Sequence, residues 1–356
     1  MTGPDLAALD YAPKPERGPR LGIAVVGTGG ISGMHLTAYR AAGYRVLALC
    51  DHQAEKAIAR RDEFFPEADV YTDLDELLAR DDIAVIDIAT HVDVRPELVR
   101  RSLAAGKHVL SQKPFVRDLA EGEELIKTAE QAGRLLAVNQ NGRWAPHFGF
   151  LLAAVRAGTI GRVSSADFAV YWPHDRGVQH DPVFSRMPDL ILYDFGIHWF
   201  DIVAQVFADA EPRSVIARTG SVAGQVIDVP TVASVLIEFD QGQATLLFRG
   251  ASHFAETGRY RIEGEAGVIT HQGQSLGGTS AMVTTAEGAT DVDLDGTWWS
   301  HGMHGTMAEL LAAVHDGEIP SNAAGTSLPG LRLCFAAIES SHTGRPVDPR
   351  TVGALR

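Results

Sequence analysis

The stretch LGIAVVGTGGISGMH, residues 21–35, constrains the fold more than any other part of the chain. An apolar run ends in glycines and opens into a helical pattern. Gly27, Gly29 and Ser32 follow a G-x-G-x-x-S spacing. In such a turn the first glycine allows a tight bend and the second lets backbone approach a pyrophosphate. The third position needs a small residue where helix meets strand. A glycine spacing alone is a weak signal. Here it is followed by a second apolar run, RVLALCD, which ends in Asp51 about 20 residues on, and that context makes it strong. The helix N-terminus would point its amides at phosphates, with Thr28, Gly30 and Ile31 completing the cradle. Asp51 would accept hydrogen bonds from a ribose 2′-hydroxyl and repel a 2′-phosphate, so NAD is expected in preference to NADP.

The surrounding pattern repeats the theme. The runs AVIDIAT, KHVLSQKP and LLAVNQN alternate with the helical stretches LDELLAR, RPELVRRSLAAG and DLAEGEELIKTAEQAG. Near-continuous apolar strands between helices predict an α/β domain with a parallel, doubly wound sheet. Gly43, Gly106 and Gly133 stand where helix C-caps belong. Past about Arg143 the character changes. A helical segment leads to SSADFAVYWP, and a second helix is expected around residues 191–207. Longer alternating strands follow: SVIARTG, TVASVLIEFD, QATLLFRGAS and RYRIEGEAGVITHQ. TVASVLIEFDQGQATLLF reads as two antiparallel strands. Two late helices are expected around residues 305–314 and 330–341. The expected organisation is an exposed N-terminal arm (1–20), a Rossmann NAD-binding domain (21–142) and an α+β domain with an open, mostly antiparallel sheet (143–356). A late helix would pack back on the Rossmann domain.

Composition narrows the partners. Of 356 residues, 45% are hydrophobic and 21% charged, as in a soluble globular enzyme. The net charge of −14 argues against nucleic acid or an anionic membrane surface. The two cysteines, Cys50 and Cys334, offer no disulfide framework, and the first twenty residues hold no apolar leader, so a cytoplasmic location is expected. No apolar run approaches the roughly 20 residues that span a bilayer. His301 and His304 are three apart, and His174 and His180 share a loop, but no third ligand has a recognisable spacing, so no metal is expected.

Two further stretches carry chemistry. In VLSQKPF, Lys113 ends a strand and precedes Pro114, which places a cation at the edge where parallel sheets bind ligands. In LILYDFGIHWFD, Asp194, His198 and Asp201 would share one face of a regular helix, where a carboxylate can orient the imidazole.

With the glycine loop, these motifs resemble the Gfo/Idh/MocA oxidoreductase family: GTGGIS, a strand-end E-K-P that is Gln112-Lys113-Pro114 here, and D-x-G-x-H-x-x-D at Asp194, Gly196, His198 and Asp201. The resemblance implies an NAD-dependent dehydrogenase of a sugar, polyol or cyclitol. In it His198 acts as general base, Asp194 orients it or binds a substrate hydroxyl, and Lys113 donates to the reacting oxygen, with the choice between Lys113 and His198 as principal base left open by the sequence. It further implies a homo-dimer or homo-tetramer. Asp201, one turn beyond His198, is expected to be structural instead. In the family's T-P-x-x-x-H pattern His91 stands in place of the proline, beside the expected cofactor, and Thr90 is still able to contact the dinucleotide. Gln112 replaces the family glutamate, and the loss of charge predicts a smaller advantage of NAD⁺ over NADH. Asn141, Arg143, Trp172, His174 and Trp299 are candidate sugar contacts, the last in a loop that also holds Trp298 and His301. Two other readings share these residues: an enzyme that retains NAD and oxidises a sugar only transiently, and a non-catalytic NAD- or sugar-binding sensor.

Overall fold

Short strands that are apolar on both faces need helices on both sides, and the N-terminal half builds that arrangement. The structure, a computed structural model, describes residues 6–14, 20–274 and 280–355. The chain forms two compact units. One comprises Ala12–Trp144 and Trp299–Leu328; the other comprises Ala145–Trp298 and Pro329–Arg356, with the N-terminal segment ending at Tyr11.

In the first unit the elements run β1 (Ile23–Val26), α1 (Ser32–Ala42), β2 (Val46–Cys50), α2 (Ala54–Phe64), β3 (Asp69–Tyr71), α3 (Leu74–Leu78), β4 (Val85–Ile88), α4 (Arg95–Ala104), β5 (His108–Gln112), α5 (Leu119–Ala132) and β6 (Leu136–Asn139). The strands form one parallel sheet in the order β3-β2-β1-β4-β5-β6. Strand order reverses between β1 and β4, the position where open α/β sheets take their ligands. β1, β4 and β6 are buried at every residue. The helix ends follow local chemistry: the Asp118 side chain accepts from Ala120 N–H at the start of α5, and Gly133 closes it at φ 62°.

The helix Trp298–Asp316 comes much later in the chain, yet its Met303, Met307, Leu310 and Leu311 share a core with Ile23, Val25, Leu36 and Tyr39. Burying each such side chain contributes roughly 1.5–3 kcal/mol. This also corrects the expectation of a loop at Trp298, Trp299 and His301, which are helical. The residues that disguise the helix are its glycines. A Cβ on Gly302 would lie 2.7 Å from the Asn141 carbonyl oxygen, and one on Gly305 would lie 2.1 Å from Trp144 Cγ. Close approach therefore excludes larger residues there. Two described residues of the N-terminal arm have partners. Lys14 pairs with the buried Glu309 at 3.1 Å, and Tyr11 lies edge-on to Phe150 at 6.2 Å.

The second unit continues with α6 (Pro146–Arg156), β7 (Val163–Tyr171), α7 (His174–Val178), a π-helical turn (Ile191–Phe195), α8 (Ile197–Val206), β8 (Pro212–Gly220), β9 (Val232–Phe239), β10 (Gln243–Arg249), β11 (Thr257–Gly264), β12 (Gly267–Gln274), β13 (Ser280–Thr285) and β14 (Gly288–Asp293). After α9, the helix Trp298–Asp316 already described, α10 (Leu328–Thr343) ends the set. The eight-stranded sheet runs β14-β13-β12-β11-β7-β10-β9-β8, antiparallel except where β10 pairs with β7. Its strands alternate: Ala233, Val235, Ile237 and Phe239 of β9 and Ala244, Leu246 and Phe248 of β10 are buried, their neighbours less so. RYRIEGEAGVITHQ, expected as one strand, is the hairpin β11–β12, turning at Glu265 and Ala266. No described helix is long and apolar enough to cross a membrane.

Candidate active site

The glycine loop sits at the C-terminal end of β1. Gly27 has φ 89°, and a Cβ there would strike Thr90 Cγ2 at 2.7 Å. Glycine is required on both counts. Gly29 and Gly30 are exposed, and a Cβ on either would meet nothing within 4 Å, so the backbone faces open space. Ile31 precedes α1, and Ser32 Oγ donates to the Gly29 carbonyl at 2.7 Å, which braces the loop from below. Thr90 Oγ1 is buried with no hydrogen-bond partner among the described residues. An open glycine cradle, a helix N-terminus behind it and an orphan hydroxyl beside it fit a dinucleotide. His91 is exposed next to Thr90.

Asp51 is only 8% exposed, and its geometry adds a role beyond ribose recognition. Oδ2 accepts from Thr28 N–H at 2.8 Å and Thr28 Oγ1 at 3.0 Å, and Oδ1 accepts from Gln53 N–H at 3.0 Å. Burial alone would push this carboxyl up, but the hydrogen bonds from Gln53 and Thr28 outweigh it and hold the group below the usual carboxylate range. Asp51 is therefore an anion that ties β2 to the loop.

Lys113 is half-buried at the end of β5, and its peptide bond to Pro114 is cis. Two side chains fix this turn. Gln112 Oε1 accepts from Lys113 N–H at 2.6 Å. Arg95, 2% exposed, donates to the carbonyls of Gln112 and Pro114 and, at 2.8 Å, to that of Thr90. One guanidinium thus joins the Thr90 segment to the Lys113 turn. Sequence reading passed over Arg95 because an arginine at the start of RPELVRR looks like a solvated helix residue. Gln112 itself reaches a buried cluster of His35, Asp87 and Asn139, whose sequence signal was a carboxylate inside the apolar run AVIDIAT.

Two expected substrate contacts in this unit have other partners. Arg143 is 7% exposed and donates to the Ser321 carbonyl at 2.8 Å, Thr326 Oγ1 at 2.9 Å and the Thr326 carbonyl at 3.0 Å. It anchors the segment after α9. Asn141 is 1% exposed and packs under Gly302. Trp299 is 37% exposed on the first turn of α9.

In the second unit, Asp194 and His198 do not share a regular helix. Asp194 lies in the π-helical turn, where Gly196 N–H bonds to the Ile191 carbonyl at 3.1 Å, and His198 and Asp201 lie in α8. A wider turn changes which side chains align, and such turns are frequent at functional sites. The Asp194 carboxylate lies 3.9 Å from His174 Nε2, and the His174 ring is 4.6 Å from Phe195. Half-buried Trp172 leads from β7 towards His174. His198 is 7% exposed and stands edge-on to Trp298 at 5.3 Å. Asp201 is 2% exposed beneath α10, where a Cβ on Gly330 would lie 2.7 Å from its Cα. This is a packing position. Asp175, fully buried, is an unforeseen member: His253 Nε2 lies 3.0 Å from both its oxygens, and it accepts from Val226 N–H at 3.0 Å. That carboxylate fixes the loop beside His174. His253→Ala should destabilise the fold by about 1.5–3 kcal/mol in denaturant titration, the range for a lost hydrogen bond to a charged group. An unchanged midpoint would contradict it.

Among the described residues, His108 at about 4, and His147, His271 and His304, are held below the ordinary range, with burial the first cause in each. His147 and His271 stack at 4.6 Å, and after burial His271 is the second cause that lowers His147. Below pH 6.5 the unfolded chain takes up these protons before the folded one does. Stability is therefore full above that value and is lost as pH falls towards 4. Tm should drop by a few degrees between about pH 7 and pH 5. A flat or rising Tm over that window would contradict the assignment.

A β3-β2-β1-β4-β5-β6 parallel sheet with a glycine loop at its switch point defines a dinucleotide-binding protein. The sequence profile of an oxidoreductase family with an NAD-binding Rossmann fold matches residues 21–140, and that of the GFO/IDH/MocA C-terminal domain matches residues 150–270. The chain belongs to the Gfo/Idh/MocA oxidoreductase family. It is similar to a D-apiose dehydrogenase of Rhizobium rhizogenes, 28% identical over 333 residues, covering 88% of this chain and 92% of that protein. A D-apiose dehydrogenase of Paraburkholderia graminis is 31% identical over 231 residues, or 63% of this chain, and the match spans only 59% of that protein. An oxidoreductase from Agrobacterium radiobacter, solved in complex with NAD⁺, L-tartaric acid and magnesium, has the same fold at TM-score 0.83 and 24% identity, covering 93% of this chain and 99% of that one.

Proposed function

We propose that the protein is an NAD-dependent dehydrogenase acting on a secondary or anomeric hydroxyl of a sugar, polyol or cyclitol. The observation that supports this most is the strand-end lysine, Lys113, fixed by Arg95 and Gln112 in the unit that carries the glycine loop. NAD, when bound, supplies the hydride acceptor. Gly27, Thr28, Gly29, Gly30, Ile31, Ser32, Asp51, Thr90 and His91 would hold it. Lys113 Nζ donates to the reacting oxygen and offsets charge as an alkoxide develops. His198 takes the hydroxyl proton on a ring nitrogen. Asp194 and His174 read neighbouring hydroxyls, and Trp172 offers a ring face to sugar C–H groups. The dehydrogenases among the relatives support a carbohydrate substrate.

The anionic Asp51 supports NAD over NADP. A specific observation favours the other cofactor: Arg60 Nη2 lies 3.4 Å from the Gly29 carbonyl, a cation near the loop that could meet a 2′-phosphate. Dissociation constants for NAD⁺ and NADP⁺, measured for wild type and Asp51→Ser, decide between them. The account expects the preference for NAD⁺ to fall by about 10- to 100-fold in the variant, the scale of one partly screened charge pair. An unchanged ratio, or a wild-type preference for NADP⁺, would overturn it.

The outer face of the eight-stranded sheet exposes Met282 and leaves Leu236 and Leu247 half-buried, beside Asp167, Arg259 and Arg261. We assign it to a homo-dimer or homo-tetramer, and charge reversal at Arg261 should lower the mass measured by light scattering. The cytosol is the compartment that suits Cys50 and Cys334, both free and buried. Burial, with Asp51 nearby, pushes the Cys50 thiol up to about 11.

A further inference from the structure

Three polar side chains meet inside the unit that holds the parallel sheet. His35 of α1, Asp87 of β4 and Asn139 of β6 are fully buried. Asp87 Oδ2 lies 2.7 Å from His35 Nδ1 and accepts from the Tyr39 hydroxyl at 2.8 Å. On the other side of the ring, His35 Nε2 lies 3.0 Å from Gln112 Nε2 and 3.0 Å from Asn139 Nδ2. Asn139 Nδ2 also reaches Met303 Sδ at 3.3 Å. Asp87 Oδ1 has no hydrogen-bond partner among the described residues. A buried carboxylate half-matched in this way is costly, so stability alone does not account for it.

Hydrogen-bond roles locate the protons. The Lys113 peptide N–H can only donate, so the Gln112 atom facing it at 2.6 Å is the carbonyl oxygen. The Gln112 amide nitrogen therefore faces His35, and it too can only donate. His35 Nε2 must accept and carries no proton. The single ring proton sits on Nδ1 and is donated to Asp87. The ring is thus uncharged, with its one proton held between Nδ1 and Asp87 Oδ2. The nearby titratable groups leave this count intact. Burial, then Asp87, pushes the Tyr39 phenol up. Tyr44 packs on Tyr39 at 5.7 Å, and His304, which packs on Tyr44 at 5.6 Å, is kept neutral by burial.

We propose that His35 is a positioning residue for Lys113: Asp87 locks its tautomer, the bare Nε2 orients the Gln112 amide, and that amide holds the Lys113 peptide. The proposal rests on the dehydrogenase reading only for what Lys113 does. It also revises the expectation for Gln112. A glutamate at 112 would need a proton on Nε2, making His35 an imidazolium between two carboxylates. Glutamine and a neutral histidine sum to zero; glutamate and an imidazolium also sum to zero. Glutamine therefore removes a proton from the cluster and leaves its charge unchanged.

The test is ¹⁵N NMR of the histidine side chains in the full-length protein, with His35 assigned by its loss in His35→Ala. The expected result is an unprotonated Nε2 and a protonated Nδ1 in wild type, and both nitrogens protonated in Gln112→Glu. The ratio of NAD⁺ to NADH dissociation constants should stay within about threefold in Gln112→Glu, where an uncompensated charge would move it about tenfold or more. His35→Ala should lower kcat about tenfold with little change in KM, and His35→Gln, which restores an acceptor towards Gln112, should recover part of it. A protonated Nε2 in wild type, or a neutral His35 in Gln112→Glu, overturns the proposal. If the protein lacks turnover, or Lys113→Met retains it, the dehydrogenase reading fails while the NMR result still decides the tautomer.

Discussion

Lys113→Met lowers kcat by about 10²- to 10⁴-fold, with NAD⁺ affinity changed by less than about tenfold. The range is that of losing one donor aimed at developing charge together with the alignment it enforces. Methionine keeps the aliphatic stem, so packing beside Pro114 and Phe115 survives. The effect is large because the turn that carries Lys113 is fixed on three sides: the Gln112 amide at its N–H, and Arg95 at the carbonyls of Gln112 and Pro114. Lys113→Arg should rescue poorly, since a broad planar guanidinium does not reproduce a point donor. Stopped-flow binding with steady-state turnover separates the two quantities. Turnover within about threefold of wild type for Lys113→Met would remove the lysine from the reacting centre.

His198→Asn gives the second large effect, again about 10²- to 10⁴-fold in kcat, and it removes the acid limb of the pH–rate profile. Asparagine matches the ring in polarity and roughly in reach but cannot accept a proton usefully. The wild-type imidazole is well placed for one orientation. It stands at 85° to Trp298, which packs in turn on Trp199 and Phe148. NAD⁺ affinity should be untouched, because none of the residues assigned to the dinucleotide is altered. A variant that loses rate but keeps the wild-type pH profile would make His198 a scaffold residue and leave Lys113 as the principal base.

The parts of this molecule that were legible in its sequence are those written locally. The glycine spacing, Asp51 at the next strand end and the cap glycines each depend on a few adjacent residues. Period-two alternation located β9 and β10 and the turn between them. What was hidden depends on distant partners. Arg143 is tied to residues 178 and 183 positions away, and Asp175 to His253, 78 positions away. Neither pairing leaves a mark at its own position. The start of α9 was masked by Gly302 and Gly305, which read as breakers until Asn141 and Trp144 are seen pressing against them. The π-helical turn was equally hidden, since its Ile191–Phe195 run has the same apolar density as the α-helix that follows.

The most direct test of the central claim is nicotinamide reduction by the purified protein, followed by absorbance with NAD⁺, and NADP⁺ in parallel, across aldoses, polyols and inositols. The account predicts steady NADH formation with at least one of these classes, faster with NAD⁺ than with NADP⁺, and its loss in Lys113→Met. Folded protein that binds NAD⁺ yet reduces none across the whole panel would contradict it.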